Sequence, residues 1–392
     1  MHIDVNNAFL SWTAVKLLYD GYDIDIRKIE SVIGGDESAR HGIVLAKSPV
    51  AKARGVKTAE TLMSAKRKCR HLEVFPPNFK WYRFMSNKMF SLIRKYTPDI
   101  EILSIDECFL DYTKVKKLYG DPIKFAYHLK KERYNTLKFT VNIGIANNKL
   151  CAKMASDFKK PNRVHTLFEN EIETKMFPLD VGDLYGVGKK TTAKLKELNI
   201  NTIYDLAHTK EEYLYKYFKN QSSYLINKAN GIDNSEVITY SVERKGISNS
   251  ITYSYNLIRL DDILLKLQKL TDNVCNSLRK KNKYAKVVGI TLRDKNFNNT
   301  SHQKKLVNAT NSTEEIFKVA SNLVKEIWNE EPIRLIRISL SGLTDYVNHQ
   351  LSIFDNSNSD SKLDKVIDSL KEQYGDNIIN NASIINLKYS KK

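Results

Sequence analysis

Three acidic residues stand out by their surroundings. Asp4 closes a short apolar run near the N-terminus, and Asp106-Glu107 sits inside Ser104-Ile105-Asp106-Glu107-Cys108-Phe109-Leu110. Neighbours on a flat strand point to opposite faces, so an acidic pair flanked by apolar strand residues would bury one charge. Only a turn or bulge lets both side chains reach one site. If Asp4 lies on the neighbouring strand, three carboxylates converge, and their mutual repulsion demands cations. Hard oxygen ligands in a basic chain point to Mg²⁺, which also takes phosphate oxygens. Two such ions roughly 3.5–4 Å apart activate an attacking oxygen and stabilise a leaving one. On these residues alone, an exposed turn with an acidic pair remains the alternative.

A second constellation is Leu184-Tyr185-Gly186-Val187-Gly188-Lys189-Lys190, which runs into a helical stretch from Thr191 to Leu198. It reads as a helix-hairpin-helix turn. Gly186 and Gly188 let backbone N–H groups at a helix start approach a phosphate, and Lys189 and Lys190 add charge. Such a contact ignores base identity. A plain turn between helices is the alternative.

The elements that must position these residues can be read from the spacing of apolar side chains. Ile3 to Leu10 begins as a strand and runs into a helix from about Ala8 to Asp20. Short β-like runs and a basic helix, Ala59 to Arg70, follow before Pro76-Pro77. A helix from Lys80 to Tyr96 leads into Ile100 to Ile105 and Phe109 to Tyr112, a hairpin around Asp106-Glu107. After a helix from Pro122 to Tyr134, the strand Phe139 to Ile145 hands over to a helix, Asn148 to Phe158. This alternation predicts an α+β or α/β core. From about Leu167 to Asn230 only short helical patterns occur, and Asp233 to Lys245 reads as a linker. The order strand (Ser250 to Tyr255), helix (Asp261 to Lys281), strand (Lys286 to Arg293), strand (Gln303 to Asn308), helix (Thr313 to Glu326), strand (Ile333 to Ser341) is β-α-β-β-α-β, a sheet with helices on one face. Residues 348–392 are expected to be a flexible tail with at most one amphipathic helix, Lys362 to Tyr374.

Composition narrows the partners. The 392 residues carry 63 Lys and Arg against 45 Asp and Glu, a net charge of +18. A chain this basic points to a polyanion, nucleic acid first and an anionic membrane surface second. From Gln350 onward six lysines balance six acids, so the excess belongs to the first 349 residues. Arg244, Lys245, Arg279, Lys280, Lys281, Lys283, Lys286, Arg293, Lys295, Lys304 and Lys305 supply a further basic surface in the last domain, which a solvated face or a duplex backbone would explain. Four scattered cysteines form no CxxC pair, which excludes a zinc ribbon and argues against a disulfide framework. The sequence predicts neither a membrane span nor a signal peptide, and a cytoplasmic location fits.

Three segments resemble the signatures of the Y-family translesion DNA polymerases, in their bacterial polymerase IV and V branch. They are Ile3-Asp4-Val5-Asn6-Asn7-Ala8-Phe9, Ser104-Ile105-Asp106-Glu107, and Asn142-Ile143-Gly144-Ile145-Ala146-Asn147-Asn148-Lys149 with Ala152 to Asn162, in the family's order and spacing. The resemblance covers roughly residues 1–345. It implies an α+β right-hand polymerase: palm 1–20 and 76–166, small fingers 21–75, helical thumb 167–232 with the helix-hairpin-helix, linker 233–245, and little finger 246–347. It further implies Asp4, Asp106 and Glu107 as metal carboxylates, the Val5 carbonyl as an added ligand, Asp106 and Glu107 as catalytic residues, and two Mg²⁺ ions. Phe9 falls on the aromatic steric gate under the incoming sugar, with ordinary core packing as the alternative. Lys160 falls on the lysine that pairs with the triphosphate. The family's Tyr and Arg three residues apart are replaced by Pro49 and Lys52, so Lys52 supplies charge but no bidentate fork. Only three residues precede Asp4, where relatives carry several more.

The expected activity is template-directed extension of a primer 3′-OH with dNTPs on primer-template DNA, by a monomer in the bacterial cytoplasm. Without room for a proofreading exonuclease, low fidelity follows. Two other readings stay open: a catalytically lapsed DNA-binding, clamp-associated protein, and a two-metal nuclease, the latter disfavoured by the absence of a general-base histidine near either motif. In the tail, Gln350-Leu351-Ser352-Ile353-Phe354 resembles the bacterial sliding-clamp binding motif, with Gln350 for backbone hydrogen bonds and Leu351, Ile353 and Phe354 as apolar anchors; a last strand of the domain or a chance match is the alternative.

Overall fold

The computed structural model describes residues 1–36, 38, 42–240, 243–345, 360–375 and 378–379. Two compact units divide between Ser241 and Val242. Among the described residues, no helix is long and apolar enough to cross a membrane.

The first unit holds strands β1 (His2–Val5), β2 (Ser31–Gly34), β3 (Val44–Lys47), β4 (Glu73–Phe75), β5 (Ile100–Ile102), β6 (Glu107–Leu110), β7 (Val141–Ile145) and β8 (Val164–Thr166). Its helices are α1 (Ala8–Tyr19), α2 (Pro49–Ala53), α3 (Leu62–Lys68), α4 (Phe79–Arg94), α5 (Lys116–Tyr119), α6 (Pro122–Leu137) and α7 (Lys149–Asp157), then a bundle of α8 (Ile172–Lys175), α9 (Lys189–Glu197), α10 (Ile203–Ala207), α11 (Glu211–Phe218) and α12 (Ser222–Ala229). The central sheet has the order β5-β6-β1-β7-β8, with only β7 and β8 parallel. A smaller sheet, β3-β2-β4, packs against α2 and α3 through Val32, Val44, Ala51 and Leu62.

Covering both faces of the central sheet is what sets the sequence of β7. Val141, Ile143 and Ile145 join a core with Tyr82, Met85 and Met89 of α4 and Phe125 and Leu129 of α6. The alternate residues, Asn142 and Gly144, face α7. A Cβ on Gly144 would land on the Ala152 carbonyl oxygen and the Ser156 amide nitrogen, so only glycine lets α7 lie this close. On its other side α7 gives Leu150, Cys151 and Met154 to the core of the helical bundle, with Val181, Leu184, Leu195 and Leu214. One helix thus joins the sheet to the bundle. The segment read as a linker is partly tied down: Leu150 N donates to Asp233 Oδ2 (3.0 Å) and Ile238 N to Glu101 Oε2 (2.8 Å).

The second unit contains β9 (Gly246–Leu257), α13 (Leu260–Arg279), β10 (Tyr284–Asp294), β11 (Asn299–Thr310), α14 (Thr313–Ile327), β12 (Ile333–Thr344) and α15 (Asp360–Tyr374). Its antiparallel sheet has the order β11-β10-β12-β9, and α13 and α14 bury Ile263, Leu267, Ile316 and Leu323 against Val288, Ile290, Ile336 and Ile338. The strands overrun their expected ends because their open face continues in Ser, Asn, Thr and Lys, which carry no apolar period. The tail was expected to be flexible, yet α15 is anchored: Arg279 Nε donates to Asp368 Oδ2 (2.5 Å), its Nη1 to Asp364 Oδ2 (3.1 Å), and Asn276 Nδ2 to Asp368 Oδ1 (2.6 Å). Arg279, expected on the DNA-facing surface, is therefore half-buried beneath α15 and engaged by two carboxylates. The pentapeptide Gln350-Leu351-Ser352-Ile353-Phe354 lies outside the described residues.

Candidate functional site

Strand register brings the acidic residues together. β1 runs antiparallel to β6 with Asp4 opposite Glu107, and Val5 N donates to Asp106 O (3.0 Å), so all three carboxylates stand at one end of two adjacent strands. Asp106 lies in the turn before β6, where Ser104 Oγ donates to its Oδ1 (2.6 Å). Burial, with the charges of Asp4 and Glu107 beside it, raises the Asp106 pKa above the usual carboxylate range despite the Ser104 bond. Glu107 is driven the opposite way, down to about 2, by His2 and then Lys153. Each carboxylate currently faces a different donor: Asp4 takes Lys160, Asp106 takes Ser104, and Glu107 takes Lys153 at 2.8 Å. Accordingly, no three acidic, His or Cys side chains among the described residues are gathered closely enough to hold an ion as they stand.

His2 corrects one expectation. A histidine does lie beside the carboxylates: its Nε2 is 3.3 Å from Glu107 Oε2 and its Nδ1 2.8 Å from Ser156 Oγ. Two residues before Asp4 on a strand, it shares that residue's face, which is the signal the sequence offered. It is fully buried, and burial lowers its pKa. Ser156 Oγ, which donates to Lys153 O (2.8 Å), and Glu107 hold the ring at its two nitrogens. A ring enclosed in this way cannot reach a water as general base, so the nuclease reading gains nothing from it.

The lysines are placed by α7 and the loop behind it. Lys153 bridges Glu107 and Asp157 (3.3 Å), and these acids with Asp4 raise its pKa although burial works against it. Lys160 meets Asp4 and Asp157 (2.8 Å), and its pKa is likewise raised against the effect of burial. Its loop is held by two asparagines. Asn142 Nδ2 donates to Ser156 O (3.0 Å) and Lys159 O (2.9 Å), while Asn6 Oδ1 accepts from Asn162 N (2.7 Å). Asn6 and Asn142 are also bonded to each other (3.1 Å). Lys153, Asn6 and Asn142 were present in the quoted motifs but carried no assigned role, because their partners are remote in sequence.

Phe9 lies in the first turn of α1 and is half-buried, stacked on Tyr82 (centroids 4.9 Å, 22°) and edge-on to Phe79 (6.0 Å). Its ring is thus braced by α4, so the packing reading and an exposed edge for a ligand coexist. Lys52 is exposed on α2. Pro49 occupies the first turn of α2, where its missing N–H costs nothing, and the buried Ser48 caps the helix by accepting from Ala51 N (3.0 Å). A second cation emerges nearby: Lys47, whose pKa is lowered by burial and by the charge of Lys52, and whose carbonyl accepts from Asn7 Nδ2 (2.6 Å).

In the helical bundle, Gly186 takes φ +93°, a conformation glycine favours, and Gly188 opens α9 without any side-chain cap. Lys189 and Lys190 start that helix exposed, leaving its first N–H groups available to an anion. Lys228 Nζ braces the hairpin through Tyr185 O (3.1 Å). In the second unit, Arg293 lies on β10 with its Nε on Asn299 Oδ1 (2.8 Å). The register places Thr291, Arg337 and Ser250 side by side, then Gly289, Ser339 and Ser248, a flat face of small polar residues with Arg337 exposed among them.

Residues 3–157 match the impB/mucB/samB family, residues 169–200 the IMS family HHH motif, and residues 244–353 the impB/mucB/samB family C-terminal domain. The chain is 47% identical over 381 residues to DNA polymerase IV of Clostridium acetobutylicum, spanning 96% of each chain. It is 33% identical over 395 residues to DNA polymerase IV 1 of Bacillus subtilis, covering 100% of this chain and 94% of the relative. A Y-family DNA polymerase chimera superposes with a TM-score of 0.75 at 23% identity, over 88% of this chain and 99% of that one. DinB from Sulfolobus solfataricus gives 0.58 at 24% identity, over 87% and 97%. Matched from the carboxylate strands through the helix-hairpin-helix to the last sheet, the chain belongs to the impB/mucB/samB family of Y-family DNA polymerases.

Proposed function

We propose that the chain is a template-directed DNA polymerase of the translesion type, extending a primer 3′-OH on primer-template DNA with dNTPs and without proofreading, in damage tolerance. The β1–β6 register supports this most: it sets Asp4 against Glu107 with Asp106 beside them, amid lysines suited to a triphosphate. A donor set of three carboxylates and the Val5 carbonyl is all oxygen, which fits Mg²⁺, and two ions are proposed. When bound, they would lower the cost of generating the attacking oxygen and of releasing pyrophosphate. Asp4, Asp106 and Glu107 would hold them, with His2 and Lys153 orienting Glu107. Lys160, released from Asp4, would meet the triphosphate, with Lys52 adding charge. Phe9, braced by Tyr82, would hold the sugar floor and exclude a 2′-hydroxyl. Gly186, Gly188, Lys189 and Lys190 would grip one backbone and Arg293 with the open sheet another.

In the same reading the enzyme acts as a monomer in the bacterial cytoplasm, at the nucleoid. Gln350, Leu351 and Phe354 anchor it to the sliding clamp, so replacing all three with Ala leaves extension of a short primer unchanged and abolishes stimulation by a loaded clamp. A primer-extension assay with and without dNTPs and Mg²⁺ tests the whole. Lengthening that requires both supports polymerisation. Shortening of the strand would mean a nuclease, and binding without extension a lapsed enzyme.

A further inference from the structure

The outward face of α4 carries an unusual combination. Its inner face is buried in the core, while Lys80, Arg83, Phe84, Lys88 and Arg94 are all exposed and the helix contains no acidic residue. Surfaces normally intersperse both signs of charge. Trp81 and Phe84 stack with centroids 5.2 Å apart at 27°, and Phe84 remains 47% exposed. Two lysines flank the pair: Lys16 Nζ from α1, which also pairs with Asp20 (2.6 Å), lies 5.7 Å from the Trp81 ring, and Lys88 Nζ lies 5.4 Å from that of Phe84. The Trp81 indole N–H donates to Trp12 O (2.8 Å), so the ring is fixed before any ligand arrives. Two adjoining cavities of about 370 and 330 Å³ share Lys16, Asn78 and Trp81, and neither is lined by an acid.

We propose that this face of α1 and α4 is a binding surface for single-stranded DNA, separate from the polymerase site. Pre-fixed ring faces interleaved with cations match a strand whose bases are unpaired, because each base offers a π-face and each linkage a negative charge. A duplex conceals its base faces, and an acidic peptide satisfies the lysines but not the stacked rings. The surface also adjoins the candidate nucleotide pocket: Phe79 lines the first cavity and meets Phe9 edge-on at 6.0 Å. An unpaired strand held here lies one ring from the steric-gate position. None of this depends on catalysis.

The test uses the full chain and a thymidylate 15-mer. Stacking of a base on the pair quenches Trp81 emission, one of only three tryptophans. A saturable quench should appear with the single strand, be absent with a blunt duplex, and vanish in Trp81→Phe, which keeps an aromatic ring. Phe84→Ala, an exposed truncation, should weaken the quench titration about tenfold while leaving extension of a primer with a two-nucleotide overhang unchanged. The proposal is overturned by no quench, by an equal quench in Trp81→Phe, by equal affinity in Phe84→Ala, or by equal quenching with the duplex, with polyglutamate, or with anionic lipid vesicles.

Discussion

The two large sheets of this chain are built for opposite purposes. The five-stranded sheet is covered on both faces at β7 and puts its polar side chains into a closed network at one end, where His2, Lys153, Asn6 and Asn142 hold the carboxylates and the Lys160 loop. The four-stranded sheet is covered on one face only and presents Thr291, Arg337, Ser339 and Ser248 on the other. In the first, a side chain matters through a few enclosed partners, so single changes should act steeply. In the second, contacts with the proposed duplex would be spread over an open, exposed face, so single changes should act weakly and depend on salt.

The steepest break is expected at Asp106. Asp106→Ala removes a proposed ligand from a partly buried cluster and should cut primer extension to below about one per cent, a loss of at least about 2.7 kcal/mol in barrier terms, with DNA affinity intact. Single-turnover extension beside a filter-binding titration measures both. Next, Phe9→Ala should raise ribonucleotide incorporation relative to deoxyribonucleotide by roughly two orders of magnitude or more, about 2.7 kcal/mol of lost discrimination. Equal discrimination would leave Phe9 as packing for Tyr82 and Phe79 alone.

Closeness of α7 to the sheet gives a stability counterpart. Gly144→Ala drives a methyl into the Ala152 carbonyl, and backbone cannot move aside as a flexible side chain could. A cost of about 3 kcal/mol is expected, lowering the melting temperature of the first unit by roughly 6–10 °C. Acid sensitivity comes from the same network. Because the Glu107 pKa is depressed to about 2, its contribution to stability is full above the unfolded value of about 4.3 and is lost as pH falls toward 2. Lys153→Met should narrow that window from below, seen as acid unfolding that begins at higher pH.

What the sequence disclosed follows from the same contrast. Apolar periodicity located the long helices and the central strands of both large sheets within a few residues, because each buries at least one face, whereas short elements such as β2, β4, β8, α2 and α10 to α12 were not bounded. It placed Asp4 beside Asp106-Glu107 only on the condition that their strands pair, and the register satisfies that condition. The roles of Lys153 and Asn142 were not legible, since Lys153 contacts Glu107 across 46 residues and Asn142 contacts Asn6 across 136, whereas the strand alternation did put His2 beside Asp4. Local patterns carry no record of such pairings. Arg279 was misplaced for the converse reason: a run of basic residues signals a solvated surface, and only the docking of Asp364 and Asp368 turned one of them inward.

That misplacement supplies the finest test of the comparison. Arg279 and Arg337 belong to the same unit and carry the same charge, but one is enclosed by α15 and the other is exposed on the open sheet. Arg337→Ala should weaken duplex binding only about threefold, and the plot of log affinity against log salt should lose about one unit of slope, because one phosphate contact and its released counterion are gone. Arg279→Ala should leave that slope unchanged while destabilising the second unit, since Asp364 and Asp368 lose their shared cation and burial leaves them uncompensated. Salt titrations of duplex affinity, paired with thermal melts, separate the two. If Arg279→Ala lowered the slope as much as Arg337→Ala, α15 would have to leave its seat when DNA binds, and the covered face of this sheet would also belong to the nucleic-acid surface.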